Sequence, residues 1–252
     1  MEYGLEGRVA VITGASRGIG EAIAAGLLEK KLRGVVITSR RSENVQAAAQ
    51  RLGEADRVLP VVARSDTEEG AEQAIGAALE RFGSCDILVN NAATNPAYGP
   101  LTDVDLGTIT RTWEINLLGP LIYTRVAWTA WMRDQGGVIC NIASVGGRLP
   151  GRGMGAYNVS KAGLIYLTRH LAYELAPSVR VVGVAPGVVR TRLSRILWED
   201  ESQAGALHPL GRIGEPVEVA SAVVFLCSDQ ADWITGVTLD VDGGIAHSSA
   251  YI

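Results

Sequence analysis

Residues 8–28 constrain the architecture more than any other stretch. Arg8 to Ile12 is a short apolar run with the character of a buried strand. It leads into Thr13-Gly14-Ala15-Ser16-Arg17-Gly18-Ile19-Gly20, then into a helical pattern carried by Ala22, Ile23, Leu27 and Leu28. Strand, glycine turn and helix in that order make a phosphate-binding unit. Gly14 permits the tight turn, Gly18 lets the backbone approach a pyrophosphate, and Gly20 lets helix and strand pack closely. Amides at the helix start, beside Ser16, Arg17 and Ile19, then face the anion. The spacing is G-x-x-x-G-x-G rather than G-x-G-x-x-G, and glycines also serve plain tight turns, so the unit needs support from the rest of the chain.

That support comes from alternation. Strand patterns run over Gly34–Thr38, Val58–Val62, Asp86–Val89, Val138–Ala143, Val179–Val184 and Val237–Val241. Helical patterns lie between them: Asn44–Leu52, Asp66–Phe82, Thr108–Asp134, a helix opened by Tyr157, and Glu215–Cys227. Such a chain predicts an α/β fold, a doubly wound parallel sheet with helices on both faces. Pro120 removes one ladder bond from the long helix and predicts a kink there. The second strand ends in Ser39-Arg40-Arg41, where an NAD site would carry an acid on the ribose hydroxyls. Arg40, with Arg17 from the glycine turn, suits a 2′-phosphate instead. The competing reading is two solvated loop arginines. Asn90-Asn91-Ala92-Ala93 after the fourth strand suits close approach to a ribose or nicotinamide, or else a polar strand cap.

The chemistry lies in the stretch from Ser144 to Lys161. Ser144 closes the fifth strand, a glycine-rich loop follows, and Tyr157 and Lys161 then stand four residues apart on a helix. Residues at that spacing share a face. A free tyrosine titrates near ~10. An ammonium at roughly 4–5 Å, with an effective dielectric of about 20, favours the phenolate by about 4 kcal/mol. That predicts a phenol pKa lowered toward roughly 7 before desolvation opposes it, suited to a general acid or base. Ser144 is placed to hydrogen-bond the same substrate oxygen. Taken alone, a Tyr-x-x-x-Lys pair is more often a surface pair than a site.

Size and composition bound the remaining possibilities. At 252 residues, 47% of them hydrophobic, the chain suits one domain spanning 1–252 with a large core. A net charge of −4 offers no nucleic-acid surface and no polybasic membrane patch. Cys85, Cys140 and Cys227 are scattered and without metal spacing, so no metal site is expected. They read as reduced, buried thiols of a cytoplasmic protein. Met1-Glu2-Tyr3-Gly4-Leu5-Glu6 has no apolar signal core, and no apolar run is long enough to span a bilayer.

Taken together, these motifs resemble the short-chain dehydrogenase/reductase family over nearly the whole chain. The matches are Thr13-Gly14-x-x-x-Gly18-x-Gly20, Asn90-Asn91-Ala92-Ala93, Asn116, Ser144, Tyr157-x-x-x-Lys161, Pro186-Gly187 with Thr191, and Asp242-Gly243-Gly244. The resemblance implies a Rossmann-type seven-stranded parallel sheet. It implies that Tyr157 exchanges the proton with the substrate oxygen and Ser144 orients that oxygen. Lys161 then holds the nicotinamide ribose and lowers the tyrosine pKa, and Asn116 anchors a water in the proton relay. Ile19 lines the cofactor groove, Asn90 sits by the adenosine ribose, Val189 and Thr191 sit by the carboxamide, and Ala92, Pro186 and Gly187 also bind the cofactor. Ser39, Arg40 and Arg17 fit the pattern preferring NADP(H), with NAD(H) possible.

Within the family the chain is similar to 3-oxoacyl-(acyl-carrier-protein) reductase-like enzymes and to carbonyl reductases related to peroxisomal retinal reductase. It ends in Ala250-Tyr251-Ile252 rather than a peroxisomal address. Where the family often carries Asp-Val after the third strand, this chain has Arg64-Ser65-Asp66. Either Asp66 meets the adenine amine through a shifted loop, or that contact is lost. Ala93 replaces a family glycine and slightly tightens the pocket.

The expected activity is NADPH-dependent reduction of a ketone or aldehyde, a 3-oxoacyl thioester or another small carbonyl compound, to the alcohol. Oxidation of a secondary alcohol uses the same residues in reverse. A non-catalytic dinucleotide-sensing scaffold is the alternative of another class, and the intact Ser144, Tyr157 and Lys161 argue against it. Substrate determinants are expected in Thr94–Tyr98, Val145–Met154 and a lid over Arg192–Leu210, with Leu149, Met154, Leu193, Ile196, Leu197 and Trp198 forming an apolar pocket. Arg148, Arg152, Arg192 and Arg195 lie in these segments, and His208 reads as a structural residue at the lid hinge. Trp113, Tyr123, Trp128 and Trp131, with Tyr166, His170 and Tyr173, carry more aromatic surface than one sheet face needs. The resemblance implies a homotetramer, or a homodimer, built on those helices; the competing reading is ordinary core.

Overall fold

A computed structural model describes residues 3–248, so the C-terminal Ala250-Tyr251-Ile252 and the Met1-Glu2 start lie outside the described residues. Its strands are β1 (Val9–Ile12), β2 (Gly34–Ser39), β3 (Val58–Val62), β4 (Ile87–Asn90), β5 (Gly137–Ile142), β6 (Val179–Pro186) and β7 (Thr238–Val241). They form one all-parallel sheet in the order β3-β2-β1-β4-β5-β6-β7. The order reverses between β1 and β4, and there the carboxyl ends of the strands open a crevice.

The strands are buried on both sides, and side-chain alternation divides them between two cores. Ala10, Ile12, Val35, Ile37, Ile87 and Val89 pack on one face with α1 (Gly18–Leu28), α2 (Ser42–Leu52) and, downstream, α9 (Pro216–Cys227). Val9, Val11, Val36, Leu88 and Ile139 face the other layer. That layer holds α3 (Glu68–Phe82), a long composite helix over 106–135, and α7 (Gly155–Glu174). Tyr123 is fully buried in this second core and bonds through its hydroxyl to the Arg64 carbonyl at 2.8 Å. The expectation that Tyr123 belongs to an outward aromatic surface is therefore corrected.

Boundaries differ from the sequence patterns where side chains take other work. β4 begins at Ile87 rather than Asp86, whose backbone still bonds Val9 and Val138 and whose carboxylate accepts from the Val9 amide (2.8 Å) and the Ser84 hydroxyl (2.7 Å). The third helix starts at Glu68 rather than Asp66, with Thr67 accepting from the Gly70 amide at its N-terminus. The long helix runs as α4 (Leu106–Trp113), a π-helical turn at Glu114–Leu118, α5 (Gly119–Ala127), a second π-helical turn at Trp128–Met132, and α6 (Arg133–Gln135). Pro120 sits in the first turn of α5, directly after a π-helical turn. The wider turn shifts the hydrogen-bond ladder just before the proline, so the bond that Pro120 cannot make falls where the helical register changes. Beyond α7, the short helix α8 (Glu201–Ala206) completes the lid ahead of α9.

Candidate active site

A cavity of about 720 Å³ runs along the carboxyl ends of the strands, from Ser39 and Arg40 through Gly18 and Ile19 to Ser144, Tyr157 and Lys161. Its walls suit a dinucleotide. Gly14 has φ +63°, and a Cβ there would stand 2.8 Å from the Ala92 Cα. A Cβ on Gly20 would stand 2.4 Å from the Asn91 side-chain nitrogen and 2.8 Å from the Ala15 Cα, so helix α1 approaches the sheet only without one. Gly18 has φ +59° and lines the cavity opposite Thr191. The N-terminus of α1 carries no side-chain cap, which leaves its first amides available to an anion. Arg17 and Arg40 are exposed along the same rim, and among the described residues neither makes an ion pair.

The candidate triplet Ser144, Tyr157 and Lys161 is assembled from the end of β5 and from α7. Ser144 follows β5 and caps a short 3-10 turn at Val145–Gly147, accepting from the Gly146 amide at 3.1 Å. That turn gives local structure to the loop the sequence leaves irregular. Tyr157 and Lys161 come from the first turns of α7, which is located by two sets of buried polar contacts. The Trp113 indole donates to the Ala156 carbonyl (2.9 Å). Asn90 donates to Asn141 (2.9 Å), and Asn141 donates to the Thr168 hydroxyl (3.0 Å), tying β4 and β5 to α7. The Lys161 Nζ lies 5.6 Å from the Tyr157 ring centre and donates to the Ile142 carbonyl at 2.7 Å.

The electrostatics correct one expectation. Burial pushes the Tyr157 phenol up to about 12, against the opposing effect of a hydrogen bond with Ser144. Burial pulls the Lys161 ammonium down to about 7. Desolvation outweighs the attraction between the groups because both lie in low dielectric, where each favours its neutral form. The polypeptide alone thus holds the proton on the phenol, the form needed to donate to a carbonyl oxygen.

Ser16, Arg17, Gly18, Ile19, Gly20, Ser39, Arg40, Ala92, Pro186, Gly187, Val189 and Thr191 all line the cavity with the triplet, as does Gly14. Asn116, Asn90 and Asp66 do not. Asn116 is fully buried on the π-helical turn: it accepts from the Thr94 amide (2.8 Å) and donates to the Thr94 carbonyl (2.9 Å) and to Ser160 (3.1 Å). Both of its amide protons are used, so its side chain holds the loop after β4 rather than facing the cavity. Asn90 points into the polar ladder behind the sheet, while Asn91, one residue on, lines the cavity and donates to the Thr13 carbonyl at 2.9 Å. The Asp66 carboxylate is held by Arg111 and Arg64 (2.7 Å to Arg64), which keep its pKa low against desolvation, and its neighbour Ser65 lines the cavity instead. Asn95 and Ser194 line the cavity from within the segments expected to set the substrate, and Thr38 and Ser65, which the sequence did not single out, line it too. Strand order was the missing signal, since residues at the carboxyl ends of β2, β3, β4 and β6 share one edge.

Of the residues expected around the substrate, Leu193 and Ile196 line the cavity, whereas Leu149, Met154, Leu197 and Trp198 do not, and neither do Arg148 and Arg152. Arg148 is occupied by Asp240 (2.6 Å) and the Thr238 carbonyl (2.7 Å), whereas Arg192 and Arg195 line the cavity with Leu193 and Ile196. Arg190 bonds Glu201 of α8 (2.7 Å) and Glu215 before α9 (2.8 Å) and lies over the Trp198 ring. Buried His208 accepts from the Val188 amide (3.3 Å) and bonds the Ala204 carbonyl through Nδ1 (2.8 Å), so lid and turn are joined at two points.

Comparison with known proteins agrees with this geometry. A family model described as "Enoyl-(Acyl carrier protein) reductase" matches residues 14–246. The chain is 38% identical over 245 residues to "Dehydrogenase/reductase SDR family member 4" of Homo sapiens, covering 95% of this chain and 88% of that protein. Among solved structures it resembles a 3-ketoacyl-(acyl-carrier-protein) reductase from Brucella melitensis complexed with NADH. That match has a TM-score of 0.87 and 36% identity, and covers 96% of this chain and 99% of the other. A blue fluorescent protein from a metagenomic library, in complex with NADPH, gives a TM-score of 0.88 at 33% identity, covering 96% and 99%.

Proposed function

The chain belongs to the short-chain dehydrogenase/reductase family and is an NAD(P)H-dependent oxidoreductase, and on that premise we propose that it reduces a ketone or aldehyde with NADPH. The observation that carries the reading is Tyr157, a phenol that burial keeps protonated, lining the cavity together with Ser144 and Lys161. When bound, the nicotinamide supplies a hydride to the carbonyl carbon. Ser144 and Tyr157 hold the carbonyl oxygen, and Tyr157 gives it a proton, so that the C=O π bond becomes C–H and O–H. Lys161 lines the cavity beside them and orients the ribose. Leu193, Ile196 and Ile115 give the cavity an apolar wall. A 3-oxoacyl thioester and other small carbonyl compounds fall within this class. NADPH oxidation over a panel containing an acetoacetyl thioester, an aromatic ketone and a steroid ketone tests the reading; no oxidation with any carbonyl would overturn it.

Preference for NADPH rests on Arg17 and Arg40, two exposed guanidiniums beside Ser39 without acidic partners among the described residues. Arg40→Asp is expected to lower the NADPH/NADH ratio of kcat/KM by about ten- to a hundredfold, the scale of one charged hydrogen bond. An unchanged ratio would remove Arg40 from the phosphate site.

Assembly as a homotetramer, or a homodimer, is supported by the outer face of α7. Val159, Tyr166 and Tyr173 recur every seventh residue there with 49%, 67% and 86% exposure, and Tyr166 stacks with His170. The described residues contain no helix long and apolar enough to cross a membrane. Three buried free cysteines support a cytoplasmic location.

A further inference from the structure

Tyr157 sits on a helical turn that a second helix grips. Trp113 closes α4, and Asn116 lies on the π-helical turn that follows. Both side chains reach the first turn of α7. The Trp113 indole donates to the Ala156 carbonyl at 2.9 Å. The Asn116 amide donates to the Ser160 hydroxyl at 3.1 Å, and that hydroxyl donates to the Tyr157 carbonyl at 2.6 Å. Two consecutive carbonyls are thereby tied to the long helix, Ala156 directly and Tyr157 through Ser160.

These bonds are additional to the helix itself. A backbone carbonyl has two lone pairs, and the helical ladder uses one of them. Helix formation does not call for a hydroxyl at position 160, since alanine is the better interior helix former. Back-bonding of a serine onto the preceding turn tends to bend a helix rather than support it. Ser160 and Asn116 are both fully buried, so water does not compete for their bonds.

The other end of this chain of bonds reaches the cavity. The Asn116 side chain brackets the Thr94 peptide (2.8 and 2.9 Å), and Thr94 lines the cavity, as does Ile115 between the two gripping residues. Continuous hydrogen bonding thus runs from the wall at Thr94 through Asn116 and Ser160 to the backbone of Tyr157. Gly163 keeps the two helices in contact one turn later, where a Cβ would stand 3.0 Å from the Leu117 Cδ2.

We propose that Ser160 is a positioning residue for the Tyr157 phenol, fixing the Tyr157 peptide to the long helix and so to the cavity wall that helix holds. This rests on the reductase reading above. Ser160 does not line the cavity, and no proton passes through it. Its contribution is geometric, since displacing a reacting group by about 1 Å costs up to about a hundredfold in rate.

Ser160→Ala removes the hydroxyl that joins Asn116 to the Tyr157 carbonyl. With NADPH and a carbonyl compound that the wild type reduces, kcat is expected to fall by about tenfold while KM for NADPH stays within about twofold, because the cofactor walls are untouched. Ser160→Thr keeps a hydroxyl able to bond back to the same turn, and its kcat is expected to return to within about threefold of wild type. Trp113→Phe breaks the other tie while keeping a ring, and is expected to lower kcat by about threefold or more. Circular dichroism and urea midpoints check that rates are compared between folded proteins. An unchanged kcat in Ser160→Ala, a loss that falls on KM for NADPH instead, or an equal loss in Ser160→Thr overturns the proposal and leaves the reductase reading intact. Should Ser160→Ala fail to fold, Trp113→Phe decides, and an unchanged kcat there overturns it. Failure of the wild type to oxidise NADPH with any carbonyl would instead remove the reading on which it rests.

Discussion

Tyr157→Phe is expected to lower kcat for carbonyl reduction by about a hundred- to ten-thousandfold, the range for removing a positioned general acid. The loss should appear in kcat with little change in NADPH affinity, because the phenol ring remains and only its hydroxyl is removed. Ser144 stays to hold the carbonyl oxygen, so residual activity above background is expected from orientation alone. The phenol's pKa near 12 gives this prediction a pH companion. If the neutral phenol is the working donor, reduction should not fall across pH 6–8 through loss of the Tyr157 proton. Steady-state rates with purified variant and wild type at matched folding, checked by circular dichroism, decide the matter. Turnover within about threefold of wild type would remove Tyr157 as the proton donor.

Lys161→Met is expected to act on turnover and on stability in opposite directions. Loss of the amine removes the group beside the ribose and the phenol, and turnover should fall by a factor comparable to Tyr157→Phe. Stability should rise at neutral pH. Lys161 is 1% exposed and its pKa is depressed from 10.5 to about 7. The folded state therefore binds fewer protons than the unfolded state between about pH 7 and 10.5. Stability from this group rises with pH across that window, and the full burial cost stands below about pH 7. At about 1.4 kcal/mol per unit, that cost is on the order of several kcal/mol. Methionine of similar length avoids it, offset by loss of the bond to the Ile142 carbonyl, worth roughly 1 kcal/mol. Urea unfolding of both proteins without cofactor, at pH 7 and pH 9, reads the difference. The gap between variant and wild type should shrink at the higher pH. Parallel behaviour at both values would mean that Lys161 is not charged and buried as described.

Lys161 also shows why the sequence gives the residues of a site before it gives their electrostatics. An i, i+4 pair fixes which groups share a helix face, and the Tyr157–Lys161 pairing follows from that. It does not fix how much water reaches them, and here desolvation reverses the expected shift of the phenol. Asn90 and Asn91 make the same point about direction. Both read as polar residues at a strand end, yet side chains alternate, so only Asn91 lines the cavity. Asn116 reads as part of the chemistry, but its amide is consumed in holding Thr94.

The order of strands and helices, the glycine turn at Gly14, Gly18 and Gly20, and the pairing of Ser144 with Tyr157 and Lys161 were set by the sequence alone. Periodicity and the absence of a Cβ are local properties, readable one segment at a time. Tertiary structure alone decided that Asp66 is taken by Arg64 and Arg111 and that Arg148 belongs to Asp240. Those outcomes depend on partners 2 to 92 positions away in the chain. A charged or polar side chain takes the partner that packing brings within reach, and only the folded chain fixes which one that is.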